Sequence, residues 1–155
     1  MTDDSETRVT DILVEKNISW DVIREIMRYS FDINDGDILI EWNRREPYET
    51  DVSNITCLCI LNKLSGDVSL MITVYRYKIS NDLALKNIIR GFMKFRVASY
   101  FMKDDFDDFY HVDETGDIDI VRQVWDDDDE SGSYYFEALS SYDGSLGEGF
   151  LDSIT

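Results

Sequence analysis

A chain of 155 residues suits one domain, and a fold of that size takes about 70% of its unfolded surface out of water. Its 43% hydrophobic and 13% aromatic content excludes a mainly disordered polymer, and no apolar run reaches the roughly 18 residues that cross a bilayer. With 33 acidic against 15 basic residues, the net charge of -18 excludes a general affinity for nucleic-acid phosphates or anionic membranes and makes any charged partner a basic one.

Residues 1–7 are acidic rather than the basic start of a secretory signal, so a soluble, cytoplasmic protein is expected. Val9, Ile12, Leu13 and Lys16 recur at helical spacing behind Thr2, Asp3 and Asp4, which predicts a short helix over 4–16. Ser19 is a candidate N-cap for a second helix carrying Val22, Ile23, Ile26 and Met27; a strand over 20–31 competes, because β-branched residues are frequent there. Asn34, Asp35, Gly36 and Asp37 tolerate the left-handed backbone of a tight turn, and Ile38, Leu39, Ile40 and Trp42 follow as a first strand. Residues 43–54 are charged, hold the single proline, Pro47, and read as an exposed connection.

The stretch 55–102 is the apparent scaffold. Ile55, Cys57, Cys59 and Leu61 alternate with Thr56, Leu58, Ile60 and Asn62, so both faces of this strand are largely apolar and it belongs inside a sheet. Leu64 to Asp67 form a hairpin turn, and 68–79 return as a long strand ending in aromatics. Ser80, Asn81 or Asp82 can cap a long helix over 83–101, with Leu85, Ile88, Ile89, Phe92, Phe95 and Ser99 on one face. Gly91 costs that helix about 1 kcal/mol unless it permits close packing. A second hairpin joins 109–112 to 118–125 through Glu114, Thr115, Gly116 and Asp117. The acidic run 126–130 marks a solvated loop, and Tyr135, Leu139 and Tyr142 predict a closing helix over 133–142. The expected fold is one α+β domain over 1–155. It has an antiparallel sheet of about five strands, made of two hairpins plus one N-terminal strand. The sheet packs with a long central helix, one or more N-terminal helices and a C-terminal helix, and the acidic loops are 43–54 and 126–132.

Over residues 85–154 this order resembles the YbjN family, which has the fold of the class I type III secretion chaperones. The likeness is carried by the long helix 83–101, the aromatic strand Phe109, Tyr110, His111, Val112 and Asp113, and the turn at Thr115, Gly116 and Asp117. The strand 118–125 and a tail with Phe136, Leu139 and Phe150 complete it. The resemblance implies a small, acidic, non-enzymatic protein, often dimeric, that binds other polypeptides or acts in regulation, and it transfers no catalytic residue. The charged segment 43–54 and the glycines of the C-terminus depart from the family pattern.

Chemistry-bearing motifs are sparse. His111, the single histidine, lies in a predicted strand, where a pairing with water or a neighbour is its ordinary role. Cys57 and Cys59 share one strand face and suit small core residues in a reducing compartment. Asp32 to Asp37 misses calcium-loop spacing, because the glycine comes one position early and Glu41 arrives too soon. No catalytic, metal or cofactor residue is therefore assigned, and no small-molecule substrate is inferred. Tyr75, Tyr77, Tyr100 and Phe101 are either core and edge packing or an exposed aromatic surface; with Asp126, Asp127, Asp128 and Asp129 they form the candidate partner surface. The expected function is a non-catalytic, chaperone-like or regulatory module, homodimeric or bound to a polypeptide, with an acidic surface suited to high salt. The alternative is an inhibitor or immunity protein that presents 104–108 and 126–130 to a basic nuclease or DNA-binding protein as a mimic of nucleic acid.

Overall fold

The computed structural model describes residues 9–43, 56–75, 77, 79–103, 107–124 and 133–138. In chain order these form β1 (Val9–Val14), α1 (Trp20–Phe31), a 3-10 turn (Asp35–Asp37), β2 (Ile38–Trp42), β3 (Cys57–Lys63), β4 (Ser65–Gly66) and β5 (Leu70–Tyr75). They continue with α2 (Asn81–Lys94), β6 (Ser99–Met102), β7 (Asp108–Val112), β8 (Ile118–Val124) and β9 (Ser133–Ala138). The strand order is β2-β3-β5-β1-β6-β7-β8-β9-β4. β2 with β3 and β4 with β9 are parallel pairs, and the other neighbours are antiparallel.

This corrects the expected antiparallel sheet of about five strands with several helices. Among the described residues the sheet has nine strands, is mixed, and is accompanied by two α-helices. The segment 9–14, expected in a helix, is instead a strand flanked by β5 and β6. Ile12 and Val14 enter one core and Leu13 the other, and consecutive apolar residues buried on both faces imitate helical spacing. The long helix ends at Lys94 rather than 101. Phe95 donates to the Gly91 carbonyl, Arg96 takes a left-handed φ of 57°, and 99–102 becomes β6. Phe101 is fully buried in that strand. The closing helix is likewise replaced over Ser133–Ala138 by β9, whereas 139–142 lie outside the described residues. The parallel β2–β3 pair was unexpected; the connection between them has the dozen or so residues that a parallel crossover needs. Of the segments behind the YbjN resemblance, the 108–124 hairpin is present, and the long helix is a shorter helix followed by a strand.

Both helices pack on one face of the sheet. Ser19 and Ser80 cap them, each side-chain oxygen accepting from the backbone N–H three residues on at 3.3 Å. Ile23, Ile26 and Met27 of α1 and Ala84, Ile88, Ile89 and Phe92 of α2 are fully buried against Ile12, Val14, Ile72 and Val74. The helices meet at Gly91, where a Cβ would stand 2.7 Å from Ser30 Oγ and 3.1 Å from Ile26 Cγ2. Gly91 is therefore the close-packing glycine that its position in a helix interior requires.

The opposite face holds a second core of Leu13, Val68, Tyr100, Phe109 and Val121, with Leu64, Met71, Tyr134 and Phe136 against it. β9 closes this core. Its far side pairs with β8, and its first residues pair with Ser65 and Gly66 at the tip of the β3–β5 hairpin, so the sheet curls back on itself. The tip is fastened by Ser65 and Ser133 hydroxyls 2.6 Å apart and by Phe136 N–H donating to Asp67 Oδ2 at 2.9 Å. Gly66 has φ 90°, and a Cβ there would collide with the Tyr134 carbonyl, so the junction requires glycine.

Candidate functional site

Tyr100, His111, Phe109 and Phe136 bring polar and aromatic groups together at the rim of the second core. The register places Leu13 opposite Tyr100, Tyr100 opposite His111, and His111 opposite Asp119, in one row across β1, β6, β7 and β8. Side chains in such a row share a face, so the row is a direct consequence of strand alternation. The Tyr100 ring stacks on His111 at 4.4 Å between centroids and on Phe136 at 4.0 Å, and Phe109 meets Phe136 edge-on at 5.1 Å. His111 Nε2 lies 3.3 Å from Glu15 Oε2, so the lone histidine has a carboxylate neighbour as well as a ring.

Burial pushes the Tyr100 phenol well above the ordinary tyrosine range, and the carboxylates of Glu15, Asp67 and Asp119 add to the effect by opposing a phenolate. The phenol therefore stays a hydrogen-bond donor at neutral pH. The Ser69 hydroxyl donates to the Glu15 backbone carbonyl at 3.0 Å. Among the described residues no group of three His, Cys, Asp or Glu side chains is placed to hold a metal ion. What the cluster does is close the curled sheet with a stack of rings.

The hairpin turn beside it uses its acid in the same structural way. Asp113 Oδ1 accepts from Thr115 N–H at 2.8 Å, Thr115 Oγ1 at 2.6 Å and Asp117 N–H at 3.0 Å. Burial works to raise the Asp113 pKa, but the Thr115 hydroxyl and the two backbone donors outweigh it, with His111 adding attraction, and the net shift is downward.

The residues expected to form an aromatic partner surface are not brought together. Tyr77 is 1% exposed, stacks on Phe31 at 5.7 Å and shares a hydrogen bond with Thr10 at 2.8 Å. Phe101 is buried edge-on to Phe92 in the helix-side core, and Tyr100 is buried on the other face. Tyr75 is half-buried at the end of β5. The reason is the double-sided core: aromatics near strand ends serve as closures for one layer or the other. Asp126, Asp127, Asp128 and Asp129 lie outside the described residues, as do 104–106; of the expected mimic surface Asp107 and Asp108 are described, and Asp108 meets Arg122 at 3.4 Å.

Exposed apolar groups occur elsewhere. Trp42, 40% exposed at the end of the edge strand β2, carries Lys63 over its ring at 5.6 Å. Tyr29, 49% exposed, separates two grooves of about 290 and 300 Å³ between α1 and α2, whose linings mix Asp32 with Arg28, Arg90 and Lys94. Glu41, rejected as a calcium ligand on its spacing, is only 8% exposed, and among the described residues one of its carboxylate oxygens has no hydrogen-bond partner. Its signal in the sequence was an acid inside the apolar run Ile38–Trp42.

No protein-family model matches this chain, and no match to it was found among curated proteins or solved structures.

Proposed function

We propose that the chain is a non-catalytic protein-binding module whose partner is a basic polypeptide. The observation that carries this reading is the division of labour among its polar groups. His111 and Tyr100 are engaged in the ring stack that closes the sheet, and Glu15 is engaged beside it with His111. Among the described residues Asp21, Asp32, Asp67, Asp117 and Glu137 are exposed, in a chain whose net charge is -18. A surface of one sign steers an oppositely charged chain and repels its own copies at low salt.

Two further features support the setting. Cys57 and Cys59 are free thiols in the core, as suits a reducing compartment such as the cytoplasm. No helix among the described residues is long and apolar enough to cross a membrane. The test is a fluorescence-anisotropy titration of the full chain against a labelled lysine-rich disordered polypeptide and its glutamate-rich counterpart at low salt. The lysine-rich chain is expected to bind and the glutamate-rich one to stay free. Equal binding of both, or of neither, overturns the proposal.

A further inference from the structure

Glu41 is more than nine-tenths buried, and among the described residues its Oε2 meets no donor. A carboxylate withdrawn from water is strongly disfavoured unless a cation or donor meets it. Ile38 and Ile40 of the same strand enter the helix-side core, so Leu39 and Glu41 alternate to the other face. Within the sheet Glu41 faces Ile60, which offers no polar group.

The backbone of β2 gives a second, independent observation. Asn43 N–H donates to the Leu61 carbonyl, and the Asp37 carbonyl accepts from Thr56 N–H, so the odd-numbered residues direct their backbone groups toward β3. These directions alternate along a strand, so the N–H and C=O of Ile40 and Trp42 point to the outer edge. Ile38 lies on that edge too, but it is already engaged: its N–H bonds the Asp35 carbonyl, and its own carbonyl accepts from Arg24 Nη1 at 3.2 Å. Among the described residues no strand lies beyond β2. An edge of this kind is a template for an added strand.

Resting on the basic-partner reading above, we infer that β2 takes an extended segment of the partner as an additional antiparallel strand, with a Lys or Arg of that segment set against Glu41. The residue facing Glu41 would occupy a non-hydrogen-bonded pair, the arrangement in which Cα atoms stand about 4.5 Å apart and side chains are closest. A cation there would pair with the Glu41 carboxylate, whose Oε2 is shut off from water in the free chain and must turn toward the edge to meet it. A second copy of this chain is the poorer occupant, since Ile38–Trp42 contains no cation. Two such strands paired about Ile40 would set Leu39 against Glu41, and paired about Glu41 they would set acid against acid. Trp42 supplies an exposed apolar flank at the end of the same strand.

The test measures anisotropy of labelled nine-residue peptides with the full chain: one alternating Val and Lys, one Val and Gln, one Val and Glu. The Lys peptide is expected to bind about tenfold tighter than the Gln peptide, as a charge-assisted bond exceeds a neutral one, and the Glu peptide is not expected to bind. Glu41→Gln should remove most of that roughly tenfold preference, leaving the salt-sensitive part that the net charge supplies. N-methylating alternate amides of the Lys peptide should weaken binding by about tenfold or more with no change to the protein, because strand addition needs those donors. A Lys preference undiminished in Glu41→Gln, or indifference to N-methylation, overturns the β2 assignment and leaves the basic-partner reading standing. A self-associated dimer that the Lys peptide fails to dissociate assigns the edge to a second copy and overturns it as well. If the lysine-rich polypeptide also fails to bind the wild type, both readings fall.

Discussion

Replacing Gly91 by Ala sets helix propensity against packing, and the structure decides the sign. In a helix interior the substitution gains about 1 kcal/mol. The new methyl would stand 2.7 Å from Ser30 Oγ and 3.1 Å from Ile26 Cγ2, inside a contact where Ile26 is fully buried and Ser30 is 3% exposed. Overpacking of that kind costs roughly 1–3 kcal/mol, so a net loss of about 1 kcal/mol is expected. Ser30 cannot yield freely, since its hydroxyl donates to the Ile26 carbonyl at 2.7 Å. Ser30→Ala alone should be nearly neutral, losing one hydrogen bond and gaining helix propensity, each worth roughly 0.5–1 kcal/mol. The double variant should recover about 1 kcal/mol relative to the sum of the singles, because the first obstacle to the methyl is gone. Urea unfolding followed by circular dichroism, at fixed salt and with unchanged m-values, reads these differences as shifts in midpoint. A Gly91→Ala protein at least as stable as the parent, or singles that simply add, would refute the close contact between α1 and α2.

Three other outcomes are expected. Titration at 295 nm of the parent and of Tyr100→Phe should show no difference near pH 10, where an ordinary tyrosine ionises, because the folded pKa is raised. The stability linked to Tyr100 is accordingly intact below about pH 10 and is lost as pH rises through the folded value, so a tyrosine step near pH 10 assigned to Tyr100 contradicts its burial. Asp113→Ala should cost about 1 kcal/mol at pH 7 through the lost turn bonds. Since the folded pKa of Asp113 is lowered, its contribution is present above the unfolded value of about 3.9 and fades as pH falls through the folded one; a cost unchanged at about pH 2 would contradict this. The Cys59 thiol is held protonated first by its hydrogen bond with Cys57, 3.9 Å away, and then by burial. A thiol-specific disulfide reagent should therefore label neither cysteine until the protein is unfolded, and rapid labelling of the native chain would contradict the placement.

Local chemistry was legible where it was local. The Ser19 cap, the strands at 38–42 and 57–63, and the Asp113 hairpin were readable because caps, turns and doubly apolar strands depend on a few adjacent residues. What failed were segments whose burial is decided by distant partners. Leu13 and Val14 are both buried because β1 has a core on each face, and two-sided burial erases the alternation that distinguishes a strand from a helix. The break after Lys94 rests on Arg96 in a left-handed conformation that arginine does not advertise. The ring stack joins Tyr100, His111 and Phe136 through a sheet that curls, and no spacing rule predicts such a closure. Glu41 entered the sequence reading only as a failed calcium-loop position, and its burial depends on how the sheet is assembled around β2.

The claim that this acidic fold binds a basic polypeptide is tested most directly by titrating the full chain with the lysine-rich polypeptide from low to molar KCl while recording thermal unfolding of the free protein in the same series. The affinity should fall steeply as salt screens the attraction, and the unfolding temperature should rise as salt relieves the self-repulsion of a chain with net charge -18. An affinity indifferent to salt, or a preference for the glutamate-rich polypeptide, would contradict it.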